Sequence, residues 1–486
     1  MGSTHREEAG PGPAAGLEAQ CHLVFENFPL TKTFKYGYVL AMDASAVFEL
    51  YRDLAPAELF LSLQQHCKVK MRNGIYTARV VLWMMMNQRL QARGTLEQSV
   101  EQLVQGHFDP LLSCCKRVEA HAISLETGGY CQARQRLPKL LVRRSMEDLI
   151  GRLRSRLLEP GSTLPQRVYL LDGSSLQLEH DPELVRAFPP GNTLQGTAHW
   201  PVVRLAVLHD LETGLAERPC WGPMYGVEAV SEQALAERAM QSLPAGSVIL
   251  GDRNFGIFAT AYSARQLGYG VLLRLTDVRA KALSGGPIAR PGDDPVCWRP
   301  SRWDGQGKRK HDWPADAQVS GRLIAWQVGR GKHKQWLYLF TTVSLPSEEV
   351  VALYGRRWHI ETDLRSLKQT IRLQRIAVQS VEMMEKELLV AVLAYNLVRA
   401  LMVLAARCAK IAPRELSFTR ACNIILDGYP KILAAPTAKQ QQQELLRIVD
   451  LVARCRLPKR KKRRAYPREV WGRGYRFPKR HEGKTK

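Results

Sequence analysis

Acidic residues are in short supply in this sequence. Its 486 residues include 46 Asp and Glu against 70 Lys and Arg, a formal net charge of +24 at pH 7. That imbalance argues against a basic partner and fits a polyanion: DNA, RNA or an anionic membrane surface. The ten cysteines form no C-x-x-C pair and no Cys/His cluster at zinc spacing, which excludes the common zinc modules. The adjacent Cys114 and Cys115 suit no common disulfide pattern, so free thiols in a reducing cytoplasm are expected. The opening MGSTHREEAGPGPAAG has no apolar signal core. Long apolar runs are nearly absent too. The one exception, LLVAVLAYNLVRALMVLAARCA, is interrupted by Asn396 and Arg399, both costly at a bilayer centre. It reads as a buried helix of a large soluble core, with no membrane partner. No internal repeat is found.

The chain is too long for one ordinary domain. Residues 1–28 read as a flexible tail. Residues 29–160 read as helical, with Leu, Met and Val at spacings of three and four. PAELFLSLQQHCKV, ARVVLWMMMNQRL and TLEQSVEQLVQG are candidate helices, the last with a Thr N-cap. The basic stretch QARQRLPKLLVRRSMEDLIGRLRSRL follows. A helical DNA-binding module and a helical cap with solvated charges both fit this region.

The texture changes at residue 167. RVYLLDGSSLQL, PVVRLAVLHD, SVILGD and YGVLLRLT read as strands; SEQALAERAMQSL and GIFATAYSARQLG read as helices. That order is a mixed α/β layer over 165–277 rather than uniform βαβ units. Residues 278–345, rich in Gly, Pro, Trp, Arg and Lys, read as a β-rich insertion. The α/β core resumes at 346–412, after a capped helix start at SLPSEEV. A helical segment over 413–456 and a basic aromatic tail over 457–486 close the sequence.

Three carboxylates stand out. Asp172, in LLDGSS, and Asp252, in SVILGD, are read as the ends of apolar strands, at the edge where α/β proteins build sites. Either is equally readable as a turn residue. The third lies in YGRRWHIETDLRSLK. On a helix, Tyr354, Glu361 and Lys368, spaced by sevens, share a face, with Arg357 and Arg365 four residues to either side of Glu361. Leu353, Ile360, Leu364, Leu367 and Ile371 form an apolar stripe beside them. Asp363, about 200° around the helix from Glu361, reads as an ordinary surface acid. A solvated salt-bridge helix has the same pattern. If the three acids converge, their hard oxygens suit Mg²⁺ or Mn²⁺.

Tyr354-x-x-Arg357-x-x-x-Glu361-x-x-x-x-x-x-Lys368 resembles the YREK signature of bacterial insertion-sequence DDE transposases, the cut-and-paste group with a ribonuclease-H-like core. LLDGSSLQL is similar to that group's first acidic motif and LGDRNFG to its second; YCQARQRLP is similar to the segment before its core. The likeness covers about 100–480. It implies a ribonuclease-H-like mixed-sheet catalytic core with a β-rich insertion, a helical N-terminal DNA-binding domain and a helical C-terminal segment. It implies that Asp172, Asp252 and Glu361 are catalytic and bind two Mg²⁺ or Mn²⁺ ions. Tyr354, Arg357, Lys368, Arg253 and Arg365 would hold DNA. A Trp of the insertion would stack near a flipped base, with Trp303 preferred over Trp298 and Trp313. Gly173 departs from the pattern, since hydroxyl residues are often seen after the first acid; this puts phosphate contacts there in doubt. The implied partners are double-stranded DNA, both element terminal repeats and target, and a second copy of the chain in the DNA complex. The implied location is the bacterial cytoplasm, on the nucleoid when DNA is bound.

Overall fold

The computed structural model describes residues 74–458, except 92–93, 113–114, 121, 158–165, 194–195, 302–312, 330–333 and 375. The expected tail at 1–28, the candidate helix PAELFLSLQQHCKV, Trp303 and nearly all of the basic aromatic tail lie outside the described residues.

Alternation of apolar residues builds one mixed eight-stranded sheet. Its strands are β1 (Val168–Gln177), β4 (Val202–Asp210), β5 (Cys220–Pro223), β6 (Val248–Gly251), β7 (Gly270–Arg274), β8 (Gly292–Trp298), β9 (Val319–Val328) and β10 (Gln335–Thr341). Their order is β5-β4-β1-β6-β7-β10-β9-β8; a two-residue ribbon, β2 (Asn192–Thr193) and β3 (Gly196–Thr197), stands apart. β1 runs parallel to β6, and β6 to β7; β4, β5 and the last three strands pair antiparallel. The strands of the β-rich insertion therefore extend the core sheet beyond β7. Trp298 and Trp313 pack edge-on against Phe258, and Trp298 also against Phe340, so both are core residues of that extension.

Helices form where the period changes. The labelled ones are α1 (Ala78–Leu90), α2 (Leu96–Val104), α3 (Gly128–Arg136), α4 (Lys139–Leu157), α5 (Glu232–Met240), α6 (Phe258–Gln266), α7 (Ser347–Gly355), α8 (His359–Arg365), α9 (Val381–Cys408), α10 (Phe418–Ala434) and α11 (Ala438–Ala453). Thr95 and Ser231 cap α2 and α5 by accepting the N–H groups of Gln98 and Ala234. The basic stretch near 135 breaks into α3 and α4 at Leu137-Pro138, as proline requires. The expected cap at SLPSEEV is absent: Pro346 precedes α7, and no side chain caps it.

One face of the sheet packs α5 and α6 on Tyr169, Leu171, Ile249 and Leu273. The other packs Leu353, Tyr354, Ile360 and Leu364 on Leu170, Leu250, Leu272 and Leu339. A third core gathers α1, α3 and α4 around α9, α10 and α11, and reaches Leu176, Val203 and Val207 of the sheet. α9 is apolar and long enough to cross a membrane, but its most apolar window is wholly buried in the protein. Its polar residues are satisfied there. Asn396 pairs with the N–H and C=O of Ala216 at 2.8 Å each, and Tyr395 donates to Gly214 O at 2.9 Å.

The helical layer is tied to α9 by charge. Glu387, 2% exposed, accepts from Arg89 of α1 and Arg134 of α3. Lys386 donates to the carbonyls of Arg134 and Gln135 at the end of α3 (3.3 and 2.8 Å). The YCQARQRLP segment is thus a joint between the helical layer and α9.

Candidate active site at the sheet edge

β1 does not stop at Asp172 as the sequence reading had it; it continues to Gln177 against β4. What ends is its parallel neighbour. The β1–β6 pairing runs out at Leu171–Gly251, so Asp172 and Asp252 are the next residues after the last pair of these adjacent strands. Both lie two residues after leucines, Leu170 and Leu250, that pack under Tyr354, Ile360 and Leu364. Alternation therefore aims both carboxylates toward the helix carrying Glu361.

That helix is not one uniform α-helix. α7 gives way to a 3₁₀ turn at Arg356–Trp358, then α8, then a π-helical turn at Ser366–Thr370. The tightened turn lies between Tyr354 and Glu361, and the widened one takes in Lys368. Arg357 donates to Glu361 Oε1 at 3.1 Å. Its charge also acts on Tyr354, Asp252 and Asp172. Lys368, in the π turn, donates to Ser174 Oγ (3.0 Å) and Ser175 O (3.1 Å).

Burial, with the Asp252 charge beside it, pushes the Asp172 carboxyl up to about 6, against a hydrogen bond from Gly173 N–H at 2.8 Å. Asp252 Oδ1 accepts from Asn254 N–H at 2.8 Å. Tyr354 is buried, which raises its phenol, and its hydroxyl has no well-formed hydrogen bond; Arg357 and Arg274 lie within electrostatic reach. Burial also lowers the Lys368 ammonium. Arg253 and Arg365 are exposed beside this group.

Three further residues escaped the sequence reading. Arg274 ends β7 next to the Asp252 turn. Glu232 opens α5 and bears on Asp172 electrostatically. Asn254 links the two, giving its N–H to Asp252 and its side-chain amide to Glu232 at 2.5 Å. Gly173 is explained by this pair: a Cβ there would lie 2.6 Å from the Glu232 carboxyl carbon. A usable signal was present in SEQALAER, where an acid follows directly on a Ser N-cap.

Asp363 corrects an expectation. It is not a surface acid but fully buried. Burial opposes its ionisation, yet Arg414 and Arg399 outweigh burial and hold its carboxyl below the usual range. Among the described residues, no three His, Cys, Asp or Glu side chains stand close enough to enclose a metal ion.

Asp172 and Asp252 thus follow the end of one parallel strand pairing, and Arg357 of the packed helix, hydrogen-bonded to Glu361, lies within electrostatic reach of both. Residues 163–397 match the transposase DDE domain. The chain is also 26% identical over 442 residues to the transposase InsG for insertion sequence element IS4 of Escherichia coli strain K12, spanning 87% of this chain and 92% of that protein. Over these residues the chain is similar to DDE transposases of the insertion-sequence type. Among solved structures, the piggyBac transposase synaptic complex with hairpin DNA aligns at a TM-score of 0.37 and 10% identity, over 87% of each chain. Asp172, Asp252 and Glu361 all fall within the matched transposase domain.

Proposed function

We propose that this protein is a cut-and-paste transposase of the YREK-signature group. It would bind the ends of its insertion sequence, cleave DNA there and join the freed ends to target DNA. The observation that carries this reading is the position of Arg357, within reach of Asp172, Asp252, Glu361 and Tyr354 at once. A solvated salt-bridge helix does not bring its cation within electrostatic reach of carboxylates from two core strands. The strand order β5-β4-β1-β6-β7, with β4 antiparallel, supports the ribonuclease-H-like core.

Asp172, Asp252 and Glu361 would hold two divalent ions, Mg²⁺ or Mn²⁺; the donor set is all hard oxygen. The raised Asp172 fits a group that ionises fully when a cation is near. Glu361 would turn from Arg357 to complete the set. When bound, such ions activate a nucleophile and stabilise the leaving oxygen of an in-line displacement.

The chain's own groups then have distinct tasks. Arg357, once free of Glu361, holds a phosphate beside the scissile one. Lys368 reaches a second phosphate along Ser174. Arg274, beside the buried Tyr354, would grip the strand past Asp252, and Arg253 and Arg365 would add rim contacts. With the DNA so held, water cleaves one strand at the element end. The freed 3′-hydroxyl attacks the opposite strand to give a hairpin. Water reopens it, and the 3′-hydroxyl attacks target DNA. No bond between protein and DNA forms. The helical region N-terminal to residue 160 would add element-end recognition, Trp303 would stack on an extruded base, and two copies would synapse two ends in the cytoplasm.

The test is incubation of the full chain with its own element ends, target DNA and Mg²⁺. Strand-transfer products absent from Asp172→Asn, Asp252→Asn and Glu361→Gln support the reading. Symmetrical nicks alone would assign a junction nuclease instead, and unchanged cleavage by Glu361→Gln would remove Glu361 from the site.

A further inference from the structure

α8 is only seven residues long and lies between a 3₁₀ turn and a π turn, so regular helix hydrogen bonding does little to fix its roll or slide. Its placement needs outside anchors. Two are present, and both reach the turn after β4. On the N-terminal side, Arg356 makes a bidentate pair with Glu212 at 2.6 and 2.8 Å. On the C-terminal side, Asp363 is fully buried between two arginines. Arg414 contacts both its oxygens at 2.5 Å, and Arg399 contacts Oδ1 at 2.5 Å.

The arginines are themselves held. Arg414 donates to Leu211 O at 3.0 Å and Asp210 O at 2.8 Å. Arg399 donates to Tyr395 Oη at 2.8 Å, and that hydroxyl donates to Gly214 O. The turn follows directly on β4, whose Val207 is the register partner of Asp172. Charge-assisted bonds thus tie Asp363 through Arg414 to the end of β4, and the β4 ladder pairs with β1 at Asp172. Asp363 faces away from the site, while Glu361, two residues earlier, faces it.

We propose that Asp363, clamped by Arg399 and Arg414, is a positioning residue: it sets where Glu361 stands relative to Asp172 and so tunes the divalent-cation pocket without touching a cation. This rests on the reading of Glu361 as a cation ligand. Residues that orient a ligand from behind commonly change metal affinity by about 10–100-fold when altered.

The experiment is Mn²⁺ binding to the full chain, free of DNA, by electron paramagnetic resonance titration, with thermal unfolding run in parallel. Asp363→Asn and Arg414→Lys are the variants. The lysine retains a cation but cannot span Asp363 and both carbonyls. Where a variant is folded at the titration temperature, Mn²⁺ affinity is expected to fall about tenfold or more, while affinity for element-end DNA in EDTA stays at the parent value. Parent-like Mn²⁺ affinity in a folded variant overturns the inference, as does an equal loss of DNA affinity, which would mark a general structural defect. If Asp363→Asn does not fold, Arg414→Lys decides. Glu361→Gln is the control: if it too binds Mn²⁺ as the parent does, the failure belongs to the site reading. If it loses Mn²⁺ while both other variants keep it, only the positioning role fails.

Discussion

The carboxylate of Glu232 lies against the α-carbon of Gly173, leaving no room for a side chain between them. Gly173→Ala should therefore push Glu232 off Asn254 and disturb the turn that presents Asp252. Overpacking of this kind costs about 1–3 kcal/mol. Glu232→Ala should open the space, so the double variant should recover most of the loss. A thermal double-mutant cycle measures the coupling; additive effects would show that the two residues do not meet.

Divalent cations should stabilise the protein even without DNA. At about a hundredfold excess over the dissociation constant, one bound ion adds about 2.7 kcal/mol to unfolding. Mg²⁺ or Mn²⁺ should raise the melting temperature of the parent, and less so that of Asp172→Asn or Asp252→Asn. Equal shifts in all three would place the ions elsewhere.

Glu387 provides the pH test, away from the candidate site. Burial opposes its ionisation, but Arg89 and Arg134 outweigh burial and lower its carboxyl. A depressed carboxyl contributes stability above its unfolded value of about 4.3, and that contribution is lost as pH falls through the lower folded value. Glu387→Gln should cost about 3–5 kcal/mol at pH 7, because two guanidiniums lose a buried counter-charge. The gap to the parent should narrow only below about pH 4. Urea unfolding at pH 7, 5 and 3 measures it; a constant gap would mean that the pair contributes nothing through charge.

Binding to element ends should weaken steeply with salt, as expected where many phosphates are neutralised. Arg357→Ala and Lys368→Ala should each flatten the slope of log affinity against log salt by about one. An unchanged slope for either would remove that residue from the DNA path.

Much of the site was readable because strand alternation and helical spacing are local properties. Asp172 and Asp252 stood out as acids in apolar strands, and Tyr354, Arg357, Glu361 and Lys368 through their spacing. What was not legible depends on partners distant in sequence. A helical wheel gives the direction of Asp363 but not what stands there; Arg399 and Arg414 arrive from the next helices. The clue was Arg399 itself, since a cation inside a buried apolar helix needs a buried anion. Glu232 and Arg274 were missed for the same reason, as they belong to the site only once β6 and β7 lie beside β1.

The shared core of the helical layer and α9 bears on how this protein can be cut for study. A fragment limited to 163–397 would keep the three acids but shed α1, α3, α4, α10 and α11, all of which cover α9. It would present Leu388, Leu389, Val392 and Leu393 to water, and leave Lys386 without the carbonyls at the end of α3 and Glu387 without both of its arginines. The smallest stable unit carrying the three candidate acids should accordingly extend well beyond the segment that encodes them, on both sides.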